Sequence, residues 1–95
     1  MGYRTKVLDP AKYLQTEEDI IAYLDAAMED NDAAHIARAL GDVARSEGMT
    51  EIARRTGLGR QALYKALSDQ GNPTLETVTS IISSLGLRLS VQRAA

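Results

Sequence analysis

Two short helical patterns meet at Gly57-Leu58-Gly59, and that break constrains this 95-residue chain more than any other stretch. In 49-MTEIARRTGLGRQALYKALS-68, Ile52 and Ala53 precede the break, and Leu63, Ala66 and Leu67 follow it at helical spacing. A helix serving packing alone has no need of such a hinge. A loop has no need of the apolar spacing on either side. Arg60, Gln61, Tyr64 and Lys65 crowd the segment just after the break.

Two helices that approach closely need a small residue in the first, and Ala53 supplies it. Four residues later the turn needs positive φ, which Gly57 adopts without a steric penalty. Leu58 then points an apolar side chain inward, and Leu63 anchors the middle of the second helix. Ile52, Ala53, Gly57, Leu58 and Leu63 together satisfy the helix-turn-helix template. With those positions buried, Gly59, Arg60, Gln61, Tyr64 and Lys65 form the outward face. Their chemistries suit a DNA major groove. Arg60 can donate to guanine O6 and N7, and Gln61 can pair with adenine N6 and N7. Tyr64 reaches a phosphate or packs on a thymine methyl, and Lys65 suits a phosphate. Free amides at the helix start favour a phosphate oxygen. The Thr50 hydroxyl, read as the cap of the preceding helix, adds a backbone contact, and Arg54 and Arg55 add charge.

The distribution of charge follows the same division. The formal net charge is -2, yet residues 1–44 carry four basic against nine acidic side chains, and residues 45–68 carry five against two. Phosphate binding follows local rather than total charge. An acidic end beside a basic middle suggests two different partners. Solvated helix faces are the plainer explanation of the acidic end.

The rest of the chain reads as helical. Asp9-Pro10 suggests a turn, and residues 11–14 a short helical turn. Thr16 caps a helix with Glu17, Glu18 and Asp19 in its first turn and Ile20, Ile21, Leu24, Ala27 and Met28 at helical spacing, ending near Asp30-Asn31. Asp32 caps the next, which carries Ile36, Ala37, Leu40, Val43 and Ala44 and stops at Gly48. After a loop over Ser68–Pro73, Thr74 caps a fifth helix with Leu75, Val78, Ile81, Ile82 and Leu85, stopped by Gly86. In 87-LRLSVQ-92 the period changes: Leu87, Leu89 and Val91 alternate with polar residues, as in a strand. A lone strand leaves its backbone groups unpaired, which pairing across a two-fold axis with a second copy resolves. A tail lying against the fifth helix is the alternative. The expectation is an all-α, compact five-helix domain with a short C-terminal β-strand. Residues 1–15 form a partly irregular extension, 16–86 the helical domain with the helix-turn-helix at 50–67, and 87–95 the strand and tail.

Other chemistries find little support. The chain has no cysteine, which excludes disulfides and thiolate sites. Its start has no apolar run for a signal peptide and no 18-residue apolar stretch follows, so a cytoplasmic, non-membrane protein is expected. The one histidine, His35, has no metal-ligand spacing around it, and Gly57-Leu58-Gly59 does not follow a strand as a phosphate loop would. No nucleophile and base can be assembled, so neither catalysis nor a cofactor is expected.

The run 49-MTEIARRTGLGRQALYKAL-67 with 72-NPTLETVTSIISSLGLRL-89 resembles the addiction-module antidote proteins, the HigA-like branch of the lambda-repressor-type helix-turn-helix superfamily. The stretches 9-DPAKYLQTEEDIIAYLDAAMED-30 and 35-HIARALGDVARSEGMT-50 extend the resemblance over residues 7–92. It implies a compact lambda-repressor-like domain, a homodimer on an inverted repeat of double-stranded DNA, repression of its own operon, and a RelE- or ParE-type toxin as partner. It carries recognition-helix roles onto Gly59, Arg60, Gln61, Tyr64 and Lys65, and backbone contacts onto Asn72 and Thr74. Two positions depart from the superfamily pattern: Glu51 stands where Gln is common, and Gly59 where Ser is common. Because such toxins are basic, the acidic block with Glu17, Glu18, Asp19, Asp25, Glu29, Asp30 and Asp32 is the expected toxin surface, and Leu87, Leu89 and Val91 the expected dimer contact. A stand-alone or phage-type regulator without a toxin, or an interaction module that has lost DNA binding, would share the same helices.

Overall fold

A computed structural model describes residues 14–68 and 71–94. The expected features at Asp9-Pro10 and over 11–13 lie outside these residues. Five helices occupy the described part: α1 Glu17–Met28, α2 Ala33–Glu47, α3 Met49–Thr56, α4 Arg60–Ala66 and α5 Leu75–Ser84.

Each boundary has a local cause. At α1, the Asp19 amide donates to Thr16 Oγ1 (3.1 Å) and the Thr16 amide donates back to Asp19 Oδ2 (3.2 Å), a reciprocal capping box. The helix ends at Met28, slightly before the expected stop, and Asn31 turns the chain with φ of 55°. Asparagine tolerates that left-handed region better than most residues. Asp32 then caps α2 by accepting from the Ala34 and His35 amides. Thr74 does the same for α5, accepting from the Thr77 amide at 3.1 Å.

The start of α3 differs from expectation. Thr50 is not its cap. Gly48, with φ of 102°, both ends α2 and precedes α3, and its carbonyl accepts from the Ile52 amide at 3.0 Å. The two helices share one junction residue, so Thr50 lies inside α3 and makes no capping bond.

The core is aliphatic. Leu40, Val43, Ala44, Ile52, Leu63 and Ile81 are fully enclosed, and Leu14, Leu24, Met49, Leu67 and Ile82 join them. Each large side chain of this kind contributes about 1.5–3 kcal/mol on burial. The central element is α2, which packs against α1, α3 and α5. That position explains why Ala39 and Gly41 are buried outside the expected stripe. The end of α4 comes so close to α2 that a Cβ at Gly41 would lie 3.0 Å from the Leu67 carbonyl oxygen. A side chain there would crowd that oxygen unless the contact opened by a few tenths of an ångström.

The C-terminal strand is not formed: among the described residues, 87–94 carry no strand. The cause begins at the end of α5. Gly86 turns left-handed (φ 77°), its amide donates to the Ser83 carbonyl, and the Leu87 amide donates to the Ile82 carbonyl at 3.1 Å. This double closure is a Schellman motif, which commits the Leu87 amide to the helix end. A ladder would also need a second backbone alongside. Among the described residues, no helix is long and apolar enough to cross a membrane.

Candidate nucleic-acid interface

The connection between α3 and α4 is built as the glycine spacing requires. Gly57 takes the left-handed conformation (φ 77°, ψ 4°), and its amide donates to the Ala53 carbonyl at 2.9 Å. Thr56, which the sequence reading passed over, closes the turn. Its hydroxyl donates to the Ile52 carbonyl (2.8 Å) and accepts from the Leu58 amide (3.2 Å). A threonine hydroxyl bonding four residues back is the available signal for it. Leu58 packs on the core, as expected, and Gly59 precedes α4 with extended backbone, its carbonyl accepting from the Leu63 amide.

Leu63 and Leu67 anchor α4 inward. Arg60, Gln61, Tyr64 and Lys65 are consequently all exposed, with Gly59 at the head of the same face. Arg60 and Tyr64 stand one turn apart and act together. The guanidinium carbon lies 5.5 Å from the ring centre, and Arg60 Nη2 approaches Tyr64 Oη at 3.4 Å. Such stacking holds a flexible arginine over an aromatic face.

Three cations before α4 are differently placed. Arg45 pairs with Asp42 at 3.0 Å. Arg54 grips Glu51 through both Nε and Nη2. Arg55 donates to Glu51 (3.0 Å) and to the Ser84 carbonyl (3.3 Å), and lies 3.8 Å from Glu47. The hydrogen bonds from Arg54, then those from Arg55, hold the Glu51 carboxyl down at about 2, and Glu51 in turn pushes Arg54 upward. Glu51 therefore compensates the very cations expected to add backbone charge. Among the described residues, Arg60 and Lys65 have no carboxylate partner. Thr50 and Asn72 are exposed at the head of α3 and ahead of α5.

The acidic candidates occupy another element. Glu17, Glu18 and Asp25 on α1, and Glu29 just after it, are exposed, and among the described residues none has a cationic partner. Asp19 belongs to the capping box instead. Asp30 lies 3.4 Å from His35 Nδ1, and Asp32 caps α2. Tyr23, another residue the sequence reading did not single out, ties α1 to α2 by donating to Asp42. Of the expected dimer contacts, Leu87 packs on the core, Leu89 is partly exposed, and Val91 is 96% exposed. Among the described residues, no cluster of three His, Cys, Asp or Glu side chains is arranged to hold a metal.

Comparison with known proteins bears on these surfaces. A Haemophilus influenzae protein named only as uncharacterized is 42% identical over 94 residues, covering 99% of this chain and 97% of its own length. No solved structure matches. The model of a family described as probable addiction module antidote protein matches residues 4–93. An antidote implies a cognate toxin, and with a match spanning nearly its whole length this chain belongs to that family of probable addiction module antidote proteins.

Proposed function

We propose that this antidote is a sequence-specific DNA-binding repressor of its own operon, as well as the direct neutraliser of a RelE- or ParE-type toxin. The observation that carries the DNA half is the state of the cations. Arg45, Arg54 and Arg55 are matched by Asp42, Glu47 and Glu51, whereas among the described residues Arg60 and Lys65 on α4 have no carboxylate partner. An exposed, uncompensated pair of cations on a helix fixed by Leu63 and Leu67 has the chemistry of a recognition helix. The segment Met49–Ala66 then serves as a helix-turn-helix of the lambda-repressor type, on a HigA-like antidote.

In this reading Arg60 contacts a guanine edge, braced by Tyr64, and Gln61 an adjacent adenine. Lys65, the Gly59 region, Thr50 and Asn72 lie against phosphates. Arg54 contributes after exchanging Glu51 for a phosphate. A homodimer sets two copies of α4 about 34 Å apart on an inverted repeat. The exposed carboxylates of α1 serve the toxin, whose charge is complementary. The protein performs no catalysis and needs no cofactor. A stand-alone regulator would use the same α4 residues, and the antidote family match favours the two-partner reading.

The test is a titration of purified protein onto DNA from its own upstream region at two salt concentrations, against excess random DNA. Saturable, salt-sensitive binding that survives the competitor is expected. Binding no stronger than to random DNA would remove the repressor role.

A further inference from the structure

A groove of about 530 Å³ runs between α1 and the segment after α5. Ile21, Asp25 and Met28 line one wall, and Leu87, Arg88 and Leu89 the other. Leu87 also lines a separate cleft, which Glu17 reaches. Residues 17, 21, 25 and 29 recur every fourth position, which sets successive members about one turn apart on a line that winds around the helix. That line reads Glu17, Ile21, Asp25, Glu29. Ile21 is 46% exposed between two carboxylates, although Ile20, Leu24 and Ala27 already supply the inward face of α1. Among the described residues, Ile21 is not one of the apolar side chains packed on the core.

We propose that this groove docks a basic amphipathic helix of the cognate toxin, with Ile21 and Leu89 as apolar anchors and Glu17, Asp25 and Glu29 as the charged rim. The inference rests on the antidote reading above and adds where, and to what kind of element, the toxin binds. From Glu17 to Glu29 the line is about 18 Å long, three turns of helix. A partner helix with apolar residues at i, i+3 or i+4, and i+7 and lysine or arginine beside them fits both floor and rim. Arg88 on the far wall offers one cation to an acidic residue of the partner, which fixes its direction. The apolar contacts hold the complex, and the rim speeds encounter.

Charge decides against a second copy that lays its own α1 in the same place. Helix α1 contains no lysine or arginine. Setting α1 on α1 across a two-fold axis would bring two acidic faces together, which is unfavourable. The same placement separates the alternating residues of the C-terminal segment. Leu87 and Leu89 wall the groove, whereas Val91 does not line it and is almost wholly exposed. In a strand pairing two copies, all three would face one side.

The experiment is calorimetric titration of the full chain with the protein encoded by the adjacent reading frame, at two salt concentrations. The variants are Ile21→Asp, Leu89→Asp, Val91→Asp and the double reversal Glu17→Lys with Asp25→Lys. Circular dichroism and operator affinity check that each variant folds. Ile21→Asp and Leu89→Asp should each weaken the complex about tenfold or more. Val91→Asp should bind as the parent does, and the double reversal should weaken binding at low salt and flatten its salt dependence. Should Ile21→Asp lower the helical signal, Leu89→Asp, which lies outside every helix, carries the test alone. Parent-like binding by Leu89→Asp would overturn the groove, as would equal damage from Val91→Asp. Failure of the unaltered chain to bind the adjacent product would overturn the toxin reading itself, and the groove with it.

Discussion

Helices α1 and α4 make an instructive pair. Each turns one buried stripe to the core and, among the described residues, leaves charges of a single sign without ion-pair partners. Their supports differ. α1 has 12 residues and a capping box, so its start is stabilised locally. α4 has 7 residues and no side-chain cap. A helix that short is not stable alone in water, so α4 exists because Leu63 and Leu67 are enclosed. The surface proposed to read DNA is therefore held by tertiary packing alone, and the one proposed to meet the toxin has a local cap in addition to its buried Ile20, Leu24 and Ala27. Between them, Asp42, Glu47 and Glu51 neutralise Arg45, Arg54 and Arg55. The formal charge of -2 thus conceals two separated, oppositely charged faces with a neutralised zone between.

The contrast is tested most severely at Leu63. Leu63→Ala should lower stability by about 2–5 kcal/mol, because a fully enclosed leucine leaves a cavity. Urea unfolding measures it, and operator binding should weaken as α4 loses its anchor. An unchanged unfolding midpoint would mean that α4 does not depend on the core. Next comes Arg60→Ala, expected to weaken operator binding by about 1–3 kcal/mol and relax selectivity at one base pair, with binding of the adjacent gene product unchanged. Lys65→Ala should instead weaken all sequences similarly and shallow the salt slope by about 1. Equal loss of toxin binding in either variant would show that the two faces are not separate. On the other helix, Thr16→Ala should cost about 1 kcal/mol in thermal or urea unfolding. Operator affinity of the folded protein should stay the same, because the capping box supports α1 alone.

Much of this arrangement was legible in the sequence, for local reasons. The Thr16, Asp32 and Thr74 caps and the left-handed Gly57 are set by side chains within a few residues of each boundary, so they could be read from order alone. Leu63 as anchor and the exposed face of α4 followed from helical period. The misses have non-local causes. Thr50 resembles a cap, but Gly48 joins α2 to α3 without a spacer. The alternation of Leu87, Leu89 and Val91 signals a strand, yet pairing needs a neighbour and the end of α5 claims the first amide. The burial of Gly41 depends on Leu67, 26 positions further along, which no periodicity reveals. Charge counts located a basic middle but not its distribution, since the pairing of Arg55 with Ser84 and Glu47 depends on how α2, α3 and α5 meet.

The smallest effect belongs to Glu51, and it sharpens the comparison most finely. Glu51→Gln removes the carboxylate shared by Arg54 and Arg55. Arg55 keeps Glu47 and the Ser84 carbonyl, so Arg54 is the cation released. One more available phosphate contact should steepen the salt slope by about 0.9. Affinity for random DNA should rise more than affinity for the operator, because a phosphate contact carries no sequence information. Stability should respond to pH in a defined window. The carboxyl is held at about 2 against an ordinary 4.5, so its contribution is fully present above 4.5 and disappears as pH falls through about 2. The stability difference between parent and Glu51→Gln should therefore be constant near neutrality and shrink between those values. It should also be modest, because the pair is exposed to solvent. Weaker rather than stronger binding to random DNA would reverse the assignment: Glu51 would then be holding Arg54 ready for a phosphate, and α3 would share with α4 the work of gripping the DNA backbone.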